Sequence, residues 1–196
     1  MRRSTRWNPC ASTHLGARRM PGPRVPPGAV TGASGGRWGD DIPMPVAIVT
    51  GGSSGTGREV ARALAISGWA IVVVYLEHQR AVEATVAEIL GAGGNIVAVR
   101  ADLADDLDVQ RLFSESRAAF AGVDVVVHTT TDNPSLLYQH AAQHVRRRGA
   151  IVGVAGADRV TPAVQRQLSE RGISVGRAPP DGVLASLDRW RRCATG

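Results

Sequence analysis

From Val46 onward the chain alternates short β-branched runs with stretches of helical periodicity, and this alternation constrains its fold more than any other feature. Val46–Thr50 reads as a strand, followed by a glycine-rich loop and a helix with Val60, Ala63, Leu64 and Ser67 on one face. Ile71–Tyr75 is a continuous apolar run, as expected of a parallel strand buried on both faces. The next helix places Val82, Val86, Ile89 and Leu90 on one stripe and stops at Gly91–Gly94. A third strand over Asn95–Arg100, a helix carrying Val109, Leu112, Phe113 and Phe120, and a strand Val123–His128 continue the pattern. Beyond it the spacing predicts a helix over Ser135–Arg148, a strand Ala150–Val154, a helix Pro162–Glu170 and a strand Ile173–Arg177. With right-handed crossovers this is an α/β fold: a Rossmann-like, doubly wound parallel sheet of about six strands, in one domain over 44–196.

Residues 1–43 are of another kind. They hold six of the eleven prolines and seven arginines against Asp40 and Asp41, with apolar residues too sparse to make a buried face. Such a segment does not offset its ordering entropy and is expected to be a disordered basic extension. Met44 stands directly before the first strand, so an over-extended start is one explanation of it; a genuine tail and a targeting segment are the others. Val30–Gly36 imitates a nucleotide loop but has no strand before it and no helix after it. The formal charge of +6 resides in this extension, because 44–196 holds sixteen arginines against fifteen acids. A nucleic-acid-binding body is therefore not expected, and no run is long enough for a membrane span. Cys10 and Cys193 are too few for a disulfide framework or a cysteine-based zinc site.

The first strand–helix junction reads Thr50-Gly51-Gly52-Ser53-Ser54-Gly55-Thr56-Gly57. Glycines at 51, 55 and 57 permit a tight turn, close approach of a pyrophosphate, and packing of the helix on the strand. The helix N-terminus then faces the anion. Here the chain resembles the short-chain dehydrogenase/reductase family. The likeness rests on the 50–57 loop, the Ala101-Asp102-Leu103 step, the Asp124-Val125-Val126-Val127 strand and, more faintly, Arg171–Val175 with Pro179–Gly182. It spans about 45–182 and is nearest to the 3-oxoacyl-carrier-protein-reductase-like branch.

The resemblance implies an NAD(P) site in which Gly51, Ser53, Ser54, Gly55, Thr56 and Gly57 surround the ribose and pyrophosphate. Asp102 would accept from the adenine amino group and Leu103 would offer its backbone amide, with Thr129 following the fourth strand. Tyr75 and Leu76 end the second strand, where an acid would select NAD by gripping its ribose hydroxyl. Neither carries a charge that repels a phosphate, and Arg80 follows, so the balance tips toward NADP.

Departures from the family pattern are equally informative. The family's Asn-Asn-Ala-Gly segment is His128-Thr129-Thr130-Thr131 here, and Gly156 stands where its serine would polarise a carbonyl. The Tyr-x-x-x-Lys helix has no counterpart: all 23 cationic side chains are arginine, and the only tyrosines are Tyr75 and Tyr138. That relay needs a phenol made more acidic by an adjacent ammonium, and arginine's planar fork does not replace lysine. The crossovers at Ser135–Arg148 and Pro162–Glu170 are short; 14 helical residues still span roughly 21 Å, enough to return along a strand. In the family these helices form dimer faces, so the resemblance leaves a homo-oligomer open.

His140 and His144 lie one helical turn apart, with His128 as a conceivable third zinc ligand, but exposed helix histidines are the commoner case and no metal site is expected. Arg146–Arg148 reads as a basic helix terminus. The sequence thus leads to a cytoplasmic NAD(P)-binding protein, an oxidoreductase by resemblance, that lacks the Ser/Tyr/Lys catalytic residues. A non-catalytic nucleotide-binding module or partner subunit is the alternative, and a deletion-damaged relic is the third.

Overall fold

The computed structural model describes residues 44–53, 55–130, 133–154 and 160–194, with side chains through residue 191. Thirteen elements alternate along it. The strands are β1 (Val46–Val49), β2 (Ala70–Tyr75), β3 (Asn95–Arg100), β4 (Val123–His128), β5 (Val145–Gly153) and β6 (Ser174–Arg177). The helices are α1 (Gly55–Ile66), α2 (Gln79–Gly91), α3 (Asp106–Phe120), α4 (Ser135–His144), α5 (Pro162–Glu170) and α6 (Val183–Ala194), with a 3-10 turn at Pro180–Gly182. All pairings are parallel, in the order β3-β2-β1-β4-β5-β6. The order reverses at β1, so the chain winds outward in both directions from the strand that carries the glycine loop.

Strand periodicity divides the core in two. Val46 and Ile48 of β1 face the layer of α3, α4 and α5, among Leu112, Phe113, Leu137 and Leu168. Ala47 and Val49 face the opposite layer, with Val60, Leu64, Val82 and Leu187 of α1, α2 and α6. Local chemistry sets the helix ends. The Asp105 carboxylate accepts from the amides of Leu107 and Asp108 at the head of α3, and Ala121 closes that helix at φ 60°. Thr161 caps α5 with Pro162 in its first turn.

Several boundaries and faces differ from the sequence expectation. α4 ends at His144, not Arg148, and passes directly into β5, because Val145 already pairs with Val123. The arginines 146–148 therefore belong to a strand. α1 buries Gly57, Val60, Ala61 and Leu64 rather than Ala63 and Ser67. α2 buries Thr85 in place of Leu90, which stays 52% exposed; Thr85 satisfies its hydroxyl on the Ala81 carbonyl. α6 is an element beyond those the spacing predicts: Val183, Leu187 and Trp190 keep i, i+4, i+7 spacing and pack in one cluster with Trp69 and α1. Among the described residues no helix is long and apolar enough to cross a membrane. The basic segment 1–43 and its Val30–Gly36 string lie outside the described residues.

Candidate functional site

β1 delivers the loop at the carboxyl end of the sheet, between β2 and β4. Thr50 extends the β1–β4 ladder, its amide donating to the Val127 carbonyl at 3.0 Å. Thr129 clamps it from the other side: its amide donates to Thr50 Oγ1 (3.0 Å) and its hydroxyl to the Thr50 carbonyl (2.7 Å). His128 Nδ1 lies 3.1 Å from the same Thr50 hydroxyl. This buried knot holds the root of the loop, and Thr129 positions the loop through it.

The glycines then divide their tasks. Gly51 turns the chain at φ 67°, a conformation that costs other residues about 1–2 kcal/mol. A methyl at Gly52 would collide with Val73 of β2, and one at Gly57 with the carbonyl of Gly51. Both are required for the loop and α1 to lie close on the sheet. Gly55 is different. It is exposed at the first position of α1, and a methyl there would meet nothing within 4 Å. No acid occupies the first turn of α1, and a helix N-terminus carries partial positive charge. Ser53 and Thr56 flank this opening, half-buried; Ser54 lies outside the described residues.

Around this centre the other expected residues line one rim. Tyr75 closes β2 half-buried, its carbonyl accepting from the Ala101 amide at 2.9 Å. Leu76 follows, half-exposed, and its carbonyl accepts from Arg100 Nε at 3.1 Å. Beyond it an open depression of ≈ 660 Å³ is lined by His78, Gln79, Arg80, Ala81 and Glu83 at the head of α2. Asp102 uses Oδ1 to accept from the Ala104 amide, while its own amide donates to Asp108. Leu103 turns its side chain into the core, and its amide has no partner among the described residues. The loop, Tyr75, Leu76, Asp102 and Leu103 thus share the carboxyl edge of β1–β3, where a doubly wound sheet binds its ligand.

The region next to β4 and β5 has no comparable acid–base machinery among the described residues. Tyr138 of α4 is buried, and burial pushes its phenol up to about 12, away from the range a proton relay requires. It packs edge-on to His128, with centroids 6.1 Å apart. α5 reads Pro-Ala-Val-Gln-Arg-Gln-Leu-Ser-Glu, without a tyrosine. Gly156 and Thr131 lie outside the described residues. His140 and His144 stack on each other and on Phe113, and His140 Nε2 contacts Asp106 at 2.9 Å. The imidazoles are packed as a helix–helix contact. The contact of His128 with Thr50 joins residues 78 apart, which no local sequence pattern reveals.

Comparison with known proteins places the chain. The short chain dehydrogenase family matches residues 45–172. An oxidoreductase of Methylorubrum extorquens is 33% identical over 127 residues, covering 65% of this chain and 51% of that protein. A 3-oxoacyl-[acyl-carrier-protein] reductase of Synechocystis is 41% identical over 83 residues, 42% of this chain and 34% of its own. The corresponding reductase FabG of Staphylococcus aureus is 26% identical and aligns over 72% of this chain and 75% of its own. The chain thus spans about half the length of the first of these curated relatives and a third of the second. Among solved structures, a dehydrogenase/reductase from Sinorhizobium meliloti superposes with a TM-score of 0.57 at 26% identity, over 70% of this chain and 72% of that one. A short chain dehydrogenase of Burkholderia cenocepacia in complex with NADP shares the fold, with a TM-score of 0.57 at 24% identity over 76% and 83% of the two chains. The parallel sheet, the glycine loop at its switch point and the family match agree: this chain belongs to the short-chain dehydrogenase family.

Proposed function

We propose that this chain binds an NAD(P) dinucleotide along the carboxyl edge of β1–β3, as an oxidoreductase-family protein that lacks the family's Ser/Tyr/Lys proton relay. One observation carries the reading: Gly52 and Gly57 are consumed by internal packing, whereas a methyl at Gly55, exposed at the first position of α1, would meet nothing within 4 Å. No internal contact among the described residues requires glycine at position 55. An external group that must approach the backbone does. In this reading Gly51, Ser53, Ser54, Gly55, Thr56 and Gly57 hold the pyrophosphate and its ribose, Tyr75 and Leu76 the adenosine ribose, and Asp102 and Leu103 the adenine. Thr129 supports the loop from beneath. The nicotinamide ring, when bound, supplies the capacity for hydride transfer. Proton transfer is what the chain does not provide, since it has no lysine and its buried Tyr138 is held protonated. The domain doing this is 44–196, and a cytoplasmic location fits it.

Titration of the full chain with NADH and NADPH, followed by nucleotide fluorescence, tests the reading: saturable binding of either supports it, and none overturns it. A panel of ketones, aldehydes and alcohols tests the missing relay, with turnover at family rates the contrary result. For the cofactor, NADPH is preferred, because Arg80 and the head of α2 border the depression beside Leu76. Arg80→Glu should weaken NADPH by about tenfold, or 1.4 kcal/mol, and leave NADH nearly unchanged. Equal losses for both nucleotides would assign Arg80 no part in the choice.

A further inference from the structure

Several arginines of this chain are neutralised by a neighbouring acid: Arg58 and Arg62 pair with Glu88, Arg111 with Asp108, and Arg146 with Asp124. Arg100, the last residue of β3, is held differently. It is exposed and forms no ion pair among the described residues. Its Nε donates to the Leu76 carbonyl at 3.1 Å, the one hydrogen bond of this side chain among the described residues.

The backbone beneath it is fixed from both sides. Arg100 is the register partner of Tyr75, and the next amide, that of Ala101, donates to the Tyr75 carbonyl at 2.9 Å. The Arg100 carbonyl accepts from Arg111 Nη2 of α3, also at 2.9 Å. The guanidinium is thereby tethered at the end of β2, with the donors of its two terminal nitrogens unused. Acids on this rim are engaged elsewhere. Glu83 accepts from Gln79 Nε2 at 2.7 Å, Glu77 lies 4.0 Å from His78 Nε2, and Asp102 accepts from the Ala104 amide.

We propose that Arg100 is a further specificity-determining residue of the nucleotide site, its terminal nitrogens donating to the 2′-phosphate of NADP. This rests on the dinucleotide reading above, in which Tyr75 and Leu76 border the adenosine ribose. A guanidinium grips two phosphate oxygens at once, which suits it to this group better than a point charge. The bond to Leu76 also restricts the side chain in advance, so less rotamer freedom is lost on binding. Arg80 is carried by the head of α2 and Arg100 by β3. A pattern confined to the end of β2 misses the second cation, because it comes from the neighbouring strand.

The full chain is titrated with NADPH and NADH, and with 2′,5′-ADP beside 5′-AMP, a pair that differs only in the 2′-phosphate. Wild type should favour the phosphorylated member of each pair. Arg100→Gln should weaken NADPH and 2′,5′-ADP by about tenfold or more while leaving NADH and 5′-AMP nearly unchanged, which also shows that the variant is folded. Arg100→Lys, which keeps the charge without the fork, should recover only part of the loss. In phosphorus NMR of the wild type, the bound 2′-phosphate should titrate at lower pH than in free NADPH, since an adjacent guanidinium favours the dianion. Equal losses for NADPH and NADH would place Arg100 against the adenosine common to both and overturn the proposal, leaving the dinucleotide site standing. Unchanged NADPH affinity in Arg100→Gln, or a wild type that prefers NADH, would overturn it in the same way. No binding of any of the four by wild type would remove the site itself, and the proposal with it.

Discussion

At the scale of single residues, the glycine loop separates packing from ligand approach. Gly55→Ala should leave the melting temperature unchanged or slightly raised, since the methyl meets nothing, yet weaken NADPH at least tenfold by intruding on the proposed pyrophosphate site. Gly57→Ala should cost about 1–3 kcal/mol of stability, because its methyl meets the Gly51 carbonyl. A thermal melt beside a binding titration distinguishes the two, and a reversed pattern would contradict the assignment. Tyr138 makes a second test. In Tyr75→Phe it is the only tyrosine left, so ultraviolet absorbance should show almost no phenolate at pH 10, the phenol sitting at about 12. A midpoint near 10 would mean an accessible phenol, and the missing-relay argument would lose its support. The loop's identity was legible from residues 50–57 alone. The different duties of Gly52, Gly55 and Gly57 were not, because each depends on what stands opposite: Val73 from another strand, open space, or a carbonyl across the turn.

Among the elements, the α3–α4 contact should respond to pH. Burial, then His140, Arg117 and Arg171, hold the His144 imidazole below its ordinary range, while Asp106 meets His140 from α3. The sign follows from linkage. The folded state favours neutral His144, so its contribution is intact above about pH 6.5 and declines as pH falls below that value, where the unfolded chain takes up the proton more readily. Urea midpoints should therefore fall between pH 7 and pH 5, and His144→Gln should flatten that decline; an unchanged slope would assign it to other groups. Most elements are legible in the sequence, because strands such as Ile71–Val74 and Val125–Val127 are unbroken β-branched runs. The end of α4 is not. Arginine is a good helix former, so Arg146–Arg148 reads as helix until Val145 is seen paired with Val123 and Arg146 with Asp124.

Across the whole molecule, the surface of the late helices bears on how the chain associates. The outward faces of α4 and α5 carry Gln139, Gln143, Gln165 and Arg166, all exposed, with the apolar residues Leu137, Ala141, Val164 and Leu168 turned inward. A polar face of this kind does not drive association, so sedimentation of the full chain at micromolar concentration should report a monomer. A dimer broken by substitutions on α4 would show that these helices pair as elsewhere in the family. Sequence by itself determined the class of fold, the place of the nucleotide loop and the lack of a lysine, because each is written in local periodicity, in a contiguous run, or in composition. Only the tertiary structure settles which glycines are held by packing, that His128 and Thr129 anchor Thr50, and that Arg146–Arg148 belong to β5. Those outcomes depend on residues dozens of positions apart being brought within hydrogen-bond distance, and only the closed sheet supplies that proximity.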